Sequence, residues 1–157
     1  MATRQTHQHT DTAPVAFLIG MRFNKWWRPD AWLPAFLAMP RMLKELSRDR
    51  DSGLLGYRLL FGELGVTVVQ YWSDLEHLYG FAGDPDRTHR PAWTHFFTVT
   101  KRVPGAVGIW HETYEVDRAE SIYVDMPATG LGTAVGLQPV GSATHSARQR
   151  VARAQRP

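Results

Sequence analysis

The sequence predicts an α+β domain of the ferredoxin-like kind, with an antiparallel sheet and helices on one of its faces. Three observations predict it. The elements between Val15 and Asp125 follow the order β-α-β-β-α-β, the split βαβ pattern. The strand runs are apolar at successive positions, so both of their faces carry large side chains. The segments flanking this region, residues 1–13 and 138–157, have no apolar periodicity.

Val15–Phe23 (VAFLIGMRF) is a strongly apolar run and reads as the opening strand. Asp30–Asp49 places Trp32, Phe36, Leu43 and Leu46 at helical spacing, with Asp30 as a cap, Pro34 in the opening turn and Pro40 as a break or kink. Gly53 restarts the chain into Leu54–Phe61. The turn Gly62-Glu63-Leu64-Gly65 then leads to Val66–Trp72 (VTVVQYW), the clearest β segment. Ser73 and Glu76 have the spacing of a capping box before the helix that carries Leu75, Leu78 and Tyr79. Gly83-Asp84-Pro85 interrupts it, and helix resumes within Asp86–Lys101, from Pro91 at the latest. Val107–Val116 is the next strand and Ser121–Asp125 a short extra one, while Met126–Leu137 reads as Gly-rich loop.

In the strands Phe17, Ile19 and Met21 alternate with Leu18 and Gly20, and Val66 and Val68 alternate with Val69 and Tyr71. Helices on one side leave the other apolar face bare, so a second copy of the chain is expected to cover it, giving a homodimer. The domain organisation expected is a disordered leader at 1–13, one domain at 14–137 and a disordered basic tail at 138–157.

The chain has 157 residues, 43% of them apolar, and no cysteine, which excludes disulfides, thiolate metal sites and a cysteine nucleophile. No apolar run is long enough to span a bilayer and MATRQTHQHTDTAP has no secretory apolar stretch, so a cytoplasmic protein with no membrane partner is expected. The net charge is +3, yet Pro14–Gly141 holds 13 basic and 14 acidic residues. The basic excess is in the ends, with Arg148, Arg150, Arg153 and Arg156 in the last ten positions. It reads as a solvated tail, with no nucleic-acid partner.

The sequence lacks a G-x-S-x-G elbow, a phosphate-binding glycine loop and an H-E-x-x-H motif. Its candidates for chemistry are histidines. His77 lies between apolar neighbours on the second helix and reads as a surface residue; His95 and the tail's His145 carry no further signal, and His7 and His9 alone cannot make a metal site. His89 sits where a loop meets a helix, where a neutral imidazole can ligate iron or act as a general base; alternatively it caps that helix. His111 interrupts an aromatic strand, sharing a face with Ile109, Thr113 and Glu115, so it either lines a cavity or points to solvent at a sheet edge. Among six tryptophans, Trp72, Trp93 and Trp110 close the later elements. They suit a core or the walls around a flat apolar ligand. Arg22 and Asn24, where the opening strand ends, with Trp110 and Tyr71, are the expected substrate-binding groups.

The runs MRFNKWWRPDAWLPAFLAMPRMLKEL, QYWSDLEHLYGFAGDPDRTHRPAW (Gln70–Trp93) and GIWHETYEV with SIYVDMPATGLG resemble a bacterial group labelled "monooxygenase family protein". That group lies within the dimeric α+β-barrel superfamily of antibiotic-biosynthesis and haem-degrading monooxygenases. The resemblance covers Val15 to Gly136 and implies a homodimer with a pocket between sheet and helices in each subunit. Some members of the superfamily oxidise quinol-type substrates with no cofactor. Others bind haem through a histidine on the second helix, and aldoxime dehydratases are haem-dependent relatives. His89, 17 residues past Trp72, corresponds to that ligand, with Trp93 and Trp72 as walls. The activity implied is oxidation of a hydrophobic, aromatic small molecule, with haem or without a cofactor. The alternative is a non-catalytic barrel that binds a small molecule or haem.

Overall fold

Val15–Phe23 is the strand around which the rest is arranged. The structure, a computed structural model, describes residues 2–10, 14–84 and 89–153, and of residues 89–93 the backbone alone. Its elements are β1 (Arg4–His7), β2 (Val15–Phe23), α1 (Pro29–Arg48), β3 (Leu54–Gly62), β4 (Gly65–Trp72), α2 (Leu75–Gly83), α3 (His89–Arg102), β5 (Val107–Glu115), β6 (Tyr123–Val124), α4 (Leu131–Val135), β7 (Leu137–Pro139) and α5 (Ala147–Arg153), with a 3-10 turn at Ser142–Thr144. The main sheet is antiparallel with strand order β3-β4-β2-β5, as the split βαβ pattern requires.

Register fixes which residues share a face. One face carries the rows Leu59–Val68–Ile19–His111 and Tyr57–Gln70–Phe17–Thr113, and the helices pack on it. The core is three clusters in that layer. Met21, Val66 and Val107 meet Ala31 of α1 at one end; Val68 meets Met39 and Leu43 in the middle; Val15 and Trp72 meet Leu46 of α1 and Leu78 of α2 at the other.

Several expectations need correcting. The first helix begins at Pro29 with no side-chain cap; Asp30 is spent instead on a two-pronged bond to Arg28. Pro40 does not break α1, which runs on to Arg48. Pro34 and Pro40 both lie on its exposed side, where water can reach the carbonyls they leave unbonded. The cap of α2 is Asp74, not Ser73: its carboxylate accepts the His77 backbone N–H at 2.8 Å, while the Ser73 hydroxyl donates to that carboxylate at 3.1 Å. This bond, followed by one from the His77 ring, holds the Asp74 carboxyl below the usual carboxylate range.

The described residues of both ends include regular elements. Residues 4–7 pair with β6 on one side and β7 on the other, making a second, three-stranded sheet. Met126–Leu137 is not all loop, since it contains α4 and starts β7. Nor is the basic tail wholly solvated. The Arg150 side chain is buried, its guanidinium paired with Glu120 and donating to the carbonyls of Thr144 at 2.9 Å and His145 at 3.1 Å. Composition counts Arg150 as one charge among four, but burial makes it a fastener.

This C-terminal layer covers part of the sheet's second face, which a second copy alone was expected to cover. There the rows are Gly56–Tyr71–Ala16–Tyr114, Arg58–Val69–Leu18–Glu112 and Leu60–Thr67–Gly20–Trp110. The chain's own α4 sits on the first row. A Cβ at Gly56 would lie 3.4 Å from the Ala134 backbone, an ordinary contact distance, so α4 rests directly on β3 there. The other two rows stay open. Trp110 lies flat over Gly20 in the space a side chain there would need.

Replacing Arg150 with Met should lower stability by about 2 kcal/mol, because Glu120 and two carbonyls lose their donor. For a chain of this length that is a fall of about 4–8 °C in Tm, checked by calorimetry. An unchanged Tm would mean that the terminal layer adds nothing to the fold.

Candidate functional site

On the helix-covered face, burial falls off from one strand to the next. Val66, Val68, Gln70 and Trp72 of β4 are all buried, with Val68 and Trp72 at 0% exposure. On the neighbouring β2, Phe17 and Ile19 are only half-buried, although this strand is central. On β5 beyond it, Thr113 is half-buried and His111 exposed. The helices therefore fill the space above β4, and their cover thins above β2 and β5, as it does at the other edge over Tyr57 and Leu59 of β3.

Phe96, Val99 and Val103 of α3 pack on the cluster that holds Val107 and Ala31, and α3 lies against α1. His89 opens α3 and His111 lies in β5. The side chains of His89 and Trp93 lie outside the described residues. Met42 of α1 packs on the cluster of Met39, Leu43 and Val68, as Ile19 does, and Phe81 of α2 packs on the cluster of Val15 and Trp72, as Phe17 does.

His111 stands on the helix-covered face with its ring 5.8 Å from that of Phe17 and tilted by 40°. His111 lies on β5, an edge strand of the sheet, and is exposed. Trp72 belongs to the core. Its indole N–H donates to Gln70 Oε1 at 2.9 Å, and its ring centre lies 5.8 Å from that of Phe81. That bond satisfies the side chain of Gln70, a buried polar residue in mid-strand.

The remaining sequence candidates sit elsewhere. Arg22, Trp110 and Tyr71 point to the second face, separated from His111 by the sheet itself. Arg22 and Trp110 line a concavity of about 400 Å3 there, with Leu18, Leu60, Thr67 and Val69. The Arg22 guanidinium donates to the Glu63 carbonyl at 3.1 Å. Tyr71, half-buried under Gly130, has its hydroxyl pushed above the usual phenol range, first by burial and then by neighbouring Tyr123. Asn24 is past the end of β2, its amide beside Gly108. His77, as expected, is a surface residue, its Nδ1 2.8 Å from Asp74 Oδ1 on the rim of a second, acidic concavity. Among the described residues no group of three or more histidines and carboxylates is arranged to hold a metal ion.

The residues that sequence reasoning passed over are Phe17, Ile19 and Thr113. Alternation already placed them on the His111 face or its equivalent. What it lacked was the register that joins β2 to β5 in one row.

A family model described as Monooxygenase af470-like matches residues 14–131. The chain belongs to that family. The match takes in both faces of the main sheet and all three helices of the covered layer, and it ends at the first residue of α4. Among solved structures, this Monooxygenase af470-like chain is similar to an aldoxime dehydratase, OxdRE, solved in complex with butyraldoxime. The TM-score is 0.60 and the identity 17%, over 98% of this chain and 44% of that one. This chain thus spans less than half the length of that enzyme, and the likeness shows fold, the terminal layer included. SnoaB from Streptomyces nogalater, a cofactor-independent oxygenase, aligns with TM-score 0.42 and 12% identity over 66% of this chain and 92% of that one. No curated protein matches the sequence. Among the described residues no helix is long and apolar enough to cross a membrane.

Two substitutions separate core from edge. Trp72→Phe leaves the buried Gln70 oxygen without its donor and should cost about 1–3 kcal/mol. His111→Ala, at an exposed edge, should stay within about 0.5 kcal/mol of wild type. Urea unfolding midpoints check both, and a large loss at His111 would make it a packing residue.

Proposed function

We propose that this chain is a monooxygenase-like oxidoreductase whose substrate is a hydrophobic, aromatic small molecule held in an opening above β2 and β5. The observation that carries this reading is the half-buried state of Phe17 and Ile19 on a central strand, beside an exposed His111. A flat apolar floor with an imidazole at its edge suits a ring bearing one ionisable hydroxyl. In this reading His111 and His89 are the groups that touch the substrate. One of them takes the phenolic proton, and the resulting electron-rich anion is the species that dioxygen oxidises.

Haem needs an axial imidazole and apolar walls; in a haem form His89 would be the ligand, with Phe17 and Ile19 as walls. Haem, when bound, supplies redox chemistry at iron. The chain's own part would be to hold the ring and keep water from it.

The open rows of the second face fit another copy of the chain. In the row Arg58–Val69–Leu18–Glu112 opposite charges flank an apolar centre. A two-fold axis along the strands would set each Arg58 against the other copy's Glu112 and bury both concavities.

Two measurements test these proposals. Purified protein, grown with iron and a haem precursor, is scanned for a porphyrin absorption band and assayed for oxygen uptake with quinol-type phenols. Turnover should fall at least about 100-fold in His89→Ala or His111→Ala, the range of one general base. A porphyrin band lost only in His89→Ala selects the haem form. Ligand binding without turnover in any variant would identify a non-catalytic barrel. Separately, sedimentation should show a dimer that Leu18→Asp converts to monomer, and a monomeric wild type would overturn the pairing.

A further inference from the structure

The outward side of α1 is not an ordinary solvated helix face. Its exposed residues are Pro29, Asp30, Leu33, Pro34, Leu37, Pro40, Arg41, Lys44, Ser47 and Arg48. The single acid among them, Asp30, is held by Arg28 at 2.7–2.8 Å. What is left is a stripe at helical spacing, apolar at Leu33 and Leu37 and cationic at Arg41, Lys44 and Arg48. Leu37 is 56% exposed.

Immediately before this helix, Trp26 and Trp27 are 63% and 59% exposed, their rings packed edge to face at 6.1 Å. The loop holds them outward. Lys25 is tied down through its backbone N–H to Ala106 and through Nζ to the Pro104 carbonyl, both at 3.1 Å. The Trp32 indole donates to the Trp26 carbonyl at 3.1 Å from below. Two large indoles fixed in water in this way lower no folding energy that burying them would not lower further. Lys25 itself, with Lys101 and Arg102 at the end of α3, adds cations at the same end of the layer, where the charge of Arg102 is felt by Asp30.

We propose that this surface docks on an anionic lipid bilayer, with α1 lying in the interface plane and Trp26 and Trp27 inserted among the headgroups. Each feature matches that occupant. Tryptophan favours the boundary between headgroups and acyl chains because its body is apolar and its N–H polar. An amphipathic helix with an apolar stripe and a cationic rim binds there by buried area plus attraction to anionic headgroups. The charge balance selects anionic over neutral lipid. Lying on a surface needs no spanning helix, so the expectation of no membrane partner, which rested on the lack of a span, does not bear on it. The proposal is independent of the ligand opening beside His111.

The test is flotation of the full chain with vesicles of phosphatidylcholine, alone or with about one-third phosphatidylglycerol, at low and high salt. Wild type should float with the anionic vesicles at low salt and be released at high salt. Trp26→Ala with Trp27→Ala, and separately Arg41→Glu with Lys44→Glu, should each cut partitioning about tenfold or more. All four side chains are exposed, so both variants should keep the wild-type Tm. The proposal is overturned if the anionic vesicles fail to bind wild type, or if both variants bind as wild type does. It is also overturned if the tryptophan variant instead changes the sedimentation of a protein that ignores vesicles, which would make the patch a contact between copies.

Discussion

The structure depends on the double-sided apolar character of β2. This strand pairs along its whole length with β4 on one side and β5 on the other, so its side chains have nowhere to go but up or down. Phe17, Ile19 and Met21 point to one layer, Leu18 and Gly20 to the other. Each layer must therefore supply cover, and each does so incompletely. On the first, α1 and α2 seal β4 and cover Phe17 and Ile19 only in part. On the second, the terminal layer covers Gly56 and part of Tyr71 but leaves Tyr114 exposed and stops short of Leu18 and Trp110. The two gaps are the ligand opening and the dimerisation surface of the reading offered above.

The sequence made the main sheet legible because its signals are local. The four long strands begin and end within a residue or so of where alternation and glycine turns put them, and β5 ends one residue before Val116. The ends of the chain were illegible for the opposite reason. Arg4–His7 is four polar residues with no pattern of their own. They become a strand only because β6 and β7, more than a hundred positions away, present their edges. The bond from the Thr3 backbone N–H to Asp125 crosses 122 positions, and the pair Arg150–Glu120 crosses 30. Low apolar content is evidence of disorder only when hydrogen bonds and buried charge pairs are not available to replace the hydrophobic term. Here Thr6, Thr144 and Arg150 are buried polar residues that together do much of that work.

The candidate site was legible in part. Alternation within β5 correctly put His111 on the side opposite Trp110 and Tyr114. Within β2 the same rule separates Arg22 from Phe17, and within β4 it separates Tyr71 from Trp72. Relating one strand's faces to another's takes the register, and register is a property of pairing that no single strand encodes. For that reason Arg22, Trp110 and Tyr71 could be grouped with His111 in sequence while the fold places them across the sheet. Trp72 illustrates a different limit. A large aromatic at the end of a strand has the same composition whether it walls a pocket or fills a core, and only its 0% exposure with a bond to Gln70 decides between them.

α1 is the element on which both proposals meet. Its inner side, through Met39, Met42 and Leu43, closes one flank of the space above β2 and β4. Its outer side carries the apolar and cationic stripe that follows Trp26 and Trp27. A hydrophobic aromatic substrate concentrates in lipid rather than in water, since each buried methylene-sized group favours the apolar phase by about 0.8 kcal/mol. A protein that lies on the lipid surface by one side of a helix, and receives a ligand beneath the other side, shortens the path such a molecule must take through water. The helix is 20 residues, or about 30 Å, long, enough to reach from the Trp26–Trp27 loop to the Trp72 end of the sheet. Its two prolines stand on the outer side, where they break no contact with the sheet. The inner side is left free to be continuous with the core, and the outer side free to answer to something other than the fold.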